Sequence, residues 1–107
     1  MVDEALADRV RPLLAGLAEV TEKRMFGGLA FLVGGSMAVA VSSHGGLMVR
    51  VAPDETAELL REPGTRPMEM RGRPMKGWIR VDAGAAQDDD ELARWVGFGV
   101  DRASALG

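Results

Sequence analysis

The sequence predicts an α+β fold, an antiparallel β-meander sheet with N-terminal and C-terminal helices and one short middle helix. Three observations carry that expectation. Apolar residues recur at helical spacing near both ends of the chain, short β-branched runs separated by glycines lie between them, and Pro53-Asp54-Glu55 interrupts the strand pattern.

Leu6, Val10, Leu13, Leu14 and Leu17 fall on one stripe of an amphipathic helix over residues 3–18. Pro12 lies inside it, lacks an amide donor and crowds the carbonyl of Asp8, so a kink or a break is expected there. From Thr21 the pattern changes to strands over 21–26, 29–33, 37–42 and 47–52. Glycine-rich turns at 34–36 and 43–46 join them, because glycine supplies the positive φ that tight loops demand. Alternation puts Met37, Val39 and Val41 on one face and Ala38 and Ala40 on the other; the sequence leaves open whether a helix covers that second face.

Proline and two carboxylates at 53–55 suit the first turn of a short helix that ends near Arg61. Strands are expected at 68–71 and 78–81, extending or edging the sheet, with a turn at Gly72-Arg73-Pro74 and Met75 in the connecting loop. Asp88, Asp89 and Asp90 open a last helix in which Leu92, Trp95, Val96, Gly99, Val100 and Ala103 keep helical spacing. The expected core contains Leu14, Phe26, Phe31, Val39, Val49 and Trp95, and Gly27 or Gly28 is expected to hold a positive φ where two strands meet with almost no spacer.

At 107 residues, 47% of them hydrophobic, the chain reads as a single domain, 1–107, able to bury a core without a disulfide or metal staple. It contains no cysteine, which excludes a disulfide framework, a thiol nucleophile and thiolate-bound metals, and is compatible with a cytoplasmic setting. No export signal or membrane span is read, since acidic residues occupy the N-terminus and glycines break the apolar run 26–41. A net charge of −3 lacks the footprint of a general nucleic-acid binder.

The run Lys23-Arg24-Met25-Phe26-Gly27-Gly28-Leu29-Ala30-Phe31, then Gly35-Ser36-Met37-Ala38 and Pro74-Met75-Lys76-Gly77-Trp78, resembles the pattern of the TfoX N-terminal domain family. The resemblance implies a compact sheet with flanking helices, a regulatory rather than catalytic role, and a partner connected with transcription, since the family is named for a competence regulator that works alongside a transcription factor. It implies no catalytic residues. Longer members carry a second, C-terminal domain, so a stand-alone domain is expected here.

Met25-Phe26-Gly27-Gly28 is a poor phosphate cradle, because a strand rather than a helix follows the glycines. His44, the single histidine, sits beside Ser42 and Ser43 in a turn, which does not establish a nucleophile and base in reach of each other. The acidic run 88–91 lacks calcium-loop spacing and suits a helix N-terminus better than a metal; no cofactor is expected. The methionines can fill a core or shape a pliable groove.

One segment departs from the acidic average. Residues 61–80 hold six cations against two carboxylates, and Arg66, Arg71, Arg73 and Lys76 are the candidate binding residues for a carboxylate or phosphate partner. The competing expectation is a solvated loop whose arginines pair with the carboxylates of 82–91. The leading functional expectation is a non-enzymatic regulatory or protein-interaction domain. A nucleic-acid-contacting module using the basic segment and a small enzyme with an unrecognised site are the alternatives. Oligomeric state is left open.

Overall fold

The computed structural model describes residues 3–25, 28–70 and 72–106. Its elements run α1 (Glu4–Leu14), β1 (Val20–Met25), β2 (Gly28–Val33), β3 (Ser36–Val41), β4 (Leu47–Arg50), α2 (Thr56–Leu59), β5 (Thr65–Met70), β6 (Arg73–Val81), a 3₁₀ turn (Ala83–Ala86) and α3 (Asp89–Leu106). The six strands form one antiparallel sheet in the order β1-β2-β3-β4-β6-β5. The expected α+β meander is therefore present, with one refinement. The chain leaves β4, reaches the far edge as β5 and returns between them as β6, which is an interior strand.

Asp3 caps α1, its Oδ1 accepting from the Leu6 amide at 3.1 Å. The helix is continuous through Pro12, where a kink or a break was expected, and stops at Leu14, short of the expected 18 and just ahead of Gly16. Leu13 and Leu17, expected on the buried stripe, are 40% and 39% exposed: Leu17 lies past the end of the helix, and Leu13, inside it, falls off the buried stripe of Leu6, Ala7, Val10 and Leu14. Asp88 caps α3 by accepting from the Glu91 amide at 3.0 Å.

Both long helices pack on one face of the sheet. Leu6, Val10 and Leu14 of α1 and Leu92, Trp95 and Val96 of α3 share a cluster with Phe31, Val39, Val49 and Ile79. Five of the six expected core residues lie there; Phe26 is outside the described residues, as is Gly27. Arg11 anchors α1 to β1 through Glu22 at 2.9 Å, Arg9 reaches Asp89 of α3 at 3.0 Å, and Arg94 of α3 donates to Glu62.

The alternation expected for β3 is broken. A bulge between Phe31 and Leu32 shifts the register, so Met37 lies with Ala40 on the helix-free side while Ala38 joins Val33 and Ala103 beneath α3. Close approach there depends on Gly99, where a Cβ would collide with the Ala38 carbonyl oxygen and stand 2.7 Å from Val39 Cγ1. Gly28 is also required for close approach, not for the expected positive φ: it has strand geometry, and a Cβ would lie 2.5 Å from the Val41 oxygen.

Candidate interaction surface

The β5–β6 hairpin presents the basic segment. Arg66 lies on β5, Arg73 and Lys76 on β6, and Arg71 falls outside the described residues. Arg73 and Lys76 are strand residues, because β6 begins at Arg73 rather than at Trp78; the segment expected as a loop, including Met75, is in the sheet. Pro67 sits in the edge strand and Pro74 near the start of β6, positions where a missing amide costs little.

Arg66 pairs with Asp82, its Nε 3.2 Å from Oδ1, in an exposed ion pair of the kind expected if the segment were internally neutralised. Arg73 and Lys76 are exposed and form no ion pair among the described residues.

A wider surface emerges from the register. Lys23 opposes Ala30, Ala30 opposes Ala40, Ala40 opposes Met48, Met48 opposes Arg80 and Arg80 opposes Arg66, so these six side chains form one row across all six strands. The row lies on the face away from the helices, since the neighbouring Glu22 and Arg24 pair with Arg11 and Glu4 of α1 on the other side. Ala30, Ala40 and Met48 form a satellite cluster beneath half-buried Met25, Leu32, Met37 and Met68, all from strands. No helix contributes to this cluster among the described residues.

Arg50 lies beside the row, opposite Trp78, with its guanidinium 5.1 Å from the ring centroid and Nη1 donating to the Met37 carbonyl. Arg80 donates to Ser42 Oγ at 3.0 Å. Sequence reasoning selected Arg66 but missed Lys23, Arg50 and Arg80 as parts of the same surface; each is one cation of its strand that falls on the helix-free face, readable only once register is known.

Of the groups weighed for catalysis, the Ser42 hydroxyl and the Asp88 and Asp89 carboxylates are engaged in structure, whereas the His44 ring finds no partner among the described residues. Ser42 Oγ accepts from both Arg80 and the His44 amide, and His44 is exposed in its turn. Asp88 caps α3 and Asp89 holds Arg9. Hydrogen bonds from Arg11 and Arg94 hold the Glu22 and Glu62 carboxyls below the usual glutamate range, and both lie on the helix side. No group of three or more potential metal ligands occurs among the described residues, and no helix is long and apolar enough to cross a membrane.

A protein from Pseudomonas syringae, solved by crystallography as a structural-genomics target, has the same fold: TM-score 0.66 at 11% identity, over 96% of this chain and 99% of that one. No curated protein matches the chain. The pattern of the TfoX N-terminal domain matches residues 12–103, and the chain belongs to that family.

Proposed function

We propose that this chain is a non-enzymatic regulatory domain that acts in the cytoplasm by binding a partner protein, in a setting connected with transcription. The observation that carries this reading is the helix-free sheet face, where a layer of half-buried methionine and leucine is bordered by Lys23, Arg50, Arg66 and Arg80. A pliable apolar patch rimmed by polar groups is a feature of binding surfaces. Membership of a family named for a regulator supports the regulatory half.

A photo-crosslinking amino acid placed at Thr21 or Met37 on this face, with Leu13 on α1 as the control, tests the reading in extract of the producing cells. The expected product is a protein adduct from the face positions that survives nuclease. Adducts from Leu13 alone, or none from either face position, would reject it. Arg73 and Lys76, exposed at the hairpin end without carboxylate partners among the described residues, favour nucleic-acid contact as the second reading; adducts abolished by nuclease would select it.

A further inference from the structure

The charges on the helix-free face are arranged about its apolar centre. Lys23 stands on β1 and Arg80 on β6, separated by four interstrand steps, about 19 Å at the usual spacing of about 4.8 Å. Between them the floor is Ala30, Ala40 and Met48, overlain by Leu32 and Met37, with Met25 of β1 and Met68 of the edge strand β5 packed against it at the two ends. An α-helix with side chains is about 10–12 Å across, leaving a few ångströms on each flank for carboxylate side chains to reach the bordering cations. Flexible thioethers can move aside over the short alanine floor.

The cations are short of anions. Arg66 and Arg80 are directly opposite on neighbouring strands, an arrangement that like charges disfavour, and they turn apart, Arg66 to Asp82 and Arg80 to the neutral Ser42 hydroxyl. Lys23, Arg50 and Arg80 have no carboxylate within ion-pair distance among the described residues. Two copies meeting symmetrically through this face would set the same cations against each other. Nucleic-acid bases need aromatic platforms, and the aromatic that the register places here among the described residues is Trp78, already under Arg50.

We infer that the partner presents an acidic amphipathic helix whose apolar stripe lies on the methionine layer and whose carboxylates border that stripe on both sides, toward Lys23 and toward Arg80, Arg50 and Arg66. This rests on the reading of the face as the docking surface. Charge complementarity supplies orientation and rate, and the thioether layer supplies contact area.

The test is a titration of the whole chain, carrying ¹³C-methyl methionine, with three probes. These are a helical peptide of about 16 residues with a leucine stripe bordered by glutamate, the same peptide with lysine for glutamate, and a short oligothymidylate. The glutamate peptide is expected to shift the Met25, Met37, Met48 and Met68 methyls saturably, more weakly as salt rises, and the lysine peptide to leave them in place. Lys23→Glu with Arg66→Glu should keep its melting curve and lose on the order of tenfold in affinity; Lys23→Glu alone, at a residue without an ion-pair partner among the described residues, serves if the double variant unfolds.

Equal binding of the lysine peptide, or undiminished affinity in the reversal variants, overturns the acidic-helix assignment while the docking surface stands. Preference of the same methyls for oligothymidylate does so in favour of nucleic acid. Sedimentation of the free chain as a dimer that masks these methyls does so in favour of a second copy. If none of the probes moves the four methyls, the surface reading falls as well.

Discussion

Replacing Gly99 by alanine sets two effects of known size against each other. In a solvent-exposed helix the change is favourable by about 0.8–1.0 kcal/mol, because glycine gives up more backbone freedom on folding. At Gly99 the new methyl meets the Ala38 carbonyl oxygen and lies 2.7 Å from Val39 Cγ1, and a main-chain oxygen in the centre of a sheet has nowhere to retreat. Overpacking of this kind costs about 1–3 kcal/mol. The expected net lies between no change and a loss of about 2 kcal/mol, at roughly 4–8 °C of melting temperature per kcal/mol for a domain near this size. Gly97 is the internal control: it shares α3, a Cβ there meets nothing within 4 Å, and Gly97→Ala should stabilise by about 1 kcal/mol. Thermal and guanidinium melts followed by circular dichroism measure both. Equal stabilisation by the two substitutions would refute the close seating of α3 on β3.

Three further outcomes are expected. Phe31→Ala, at a fully buried side chain, should cost about 3–5 kcal/mol in denaturant melts, and an unchanged midpoint would remove Phe31 from the core. Glu22 and Glu62 are held below their ordinary pKa, so their stabilisation is complete above the unfolded value of about 4.3 and is lost as pH falls through the lowered folded values. Glu22→Gln with Glu62→Gln should therefore be less stable than the parent at neutral pH, with the difference closing in acid; a gap independent of pH would contradict this. Alanine at Arg66, Arg71, Arg73 and Lys76 together should cost within about 1 kcal/mol, because the ion pair that Arg66 makes is exposed, yet weaken capture of the partner. Unchanged capture would leave the hairpin a structural element.

The sequence revealed most of the fold because its signals are local. Gly34 and Gly35 take positive φ between β2 and β3, and Gly45 and Gly46 do so before β4, where glycine was expected to turn the chain. What it concealed depends on neighbours distant in sequence. The bulge at Phe31/Leu32 arises from pairing with β3 and reverses the face of Met37, which no period-two count within 37–41 can show. The start of β6 was hidden because Pro74 and Gly77 look like loop residues, although Gly77 is accommodated in the strand with φ +86 and its carbonyl accepts from the Val51 amide. The candidate surface was legible only as a contiguous basic stretch. Lys23, Arg50 and Arg80 belong with Arg66 through register alone, and register is a property of the sheet.

The return of β6 into the middle of the sheet also orders the folding of the chain. Strands β1 to β4 are separated by only a few residues each, so each can zip onto its predecessor soon after collapse. The pairing of Arg50 with Trp78 instead closes a loop of 27 intervening residues, against the two that separate Val33 from Ser36. The added closure entropy is about 2 kcal/mol. The first four strands are thus the natural early structure, and β5 can find its edge only as a hairpin with β6. Until that hairpin docks, the hydrogen-bonding side of β4 is an open template, and it is at this stage that the chain is most exposed to pairing with another molecule.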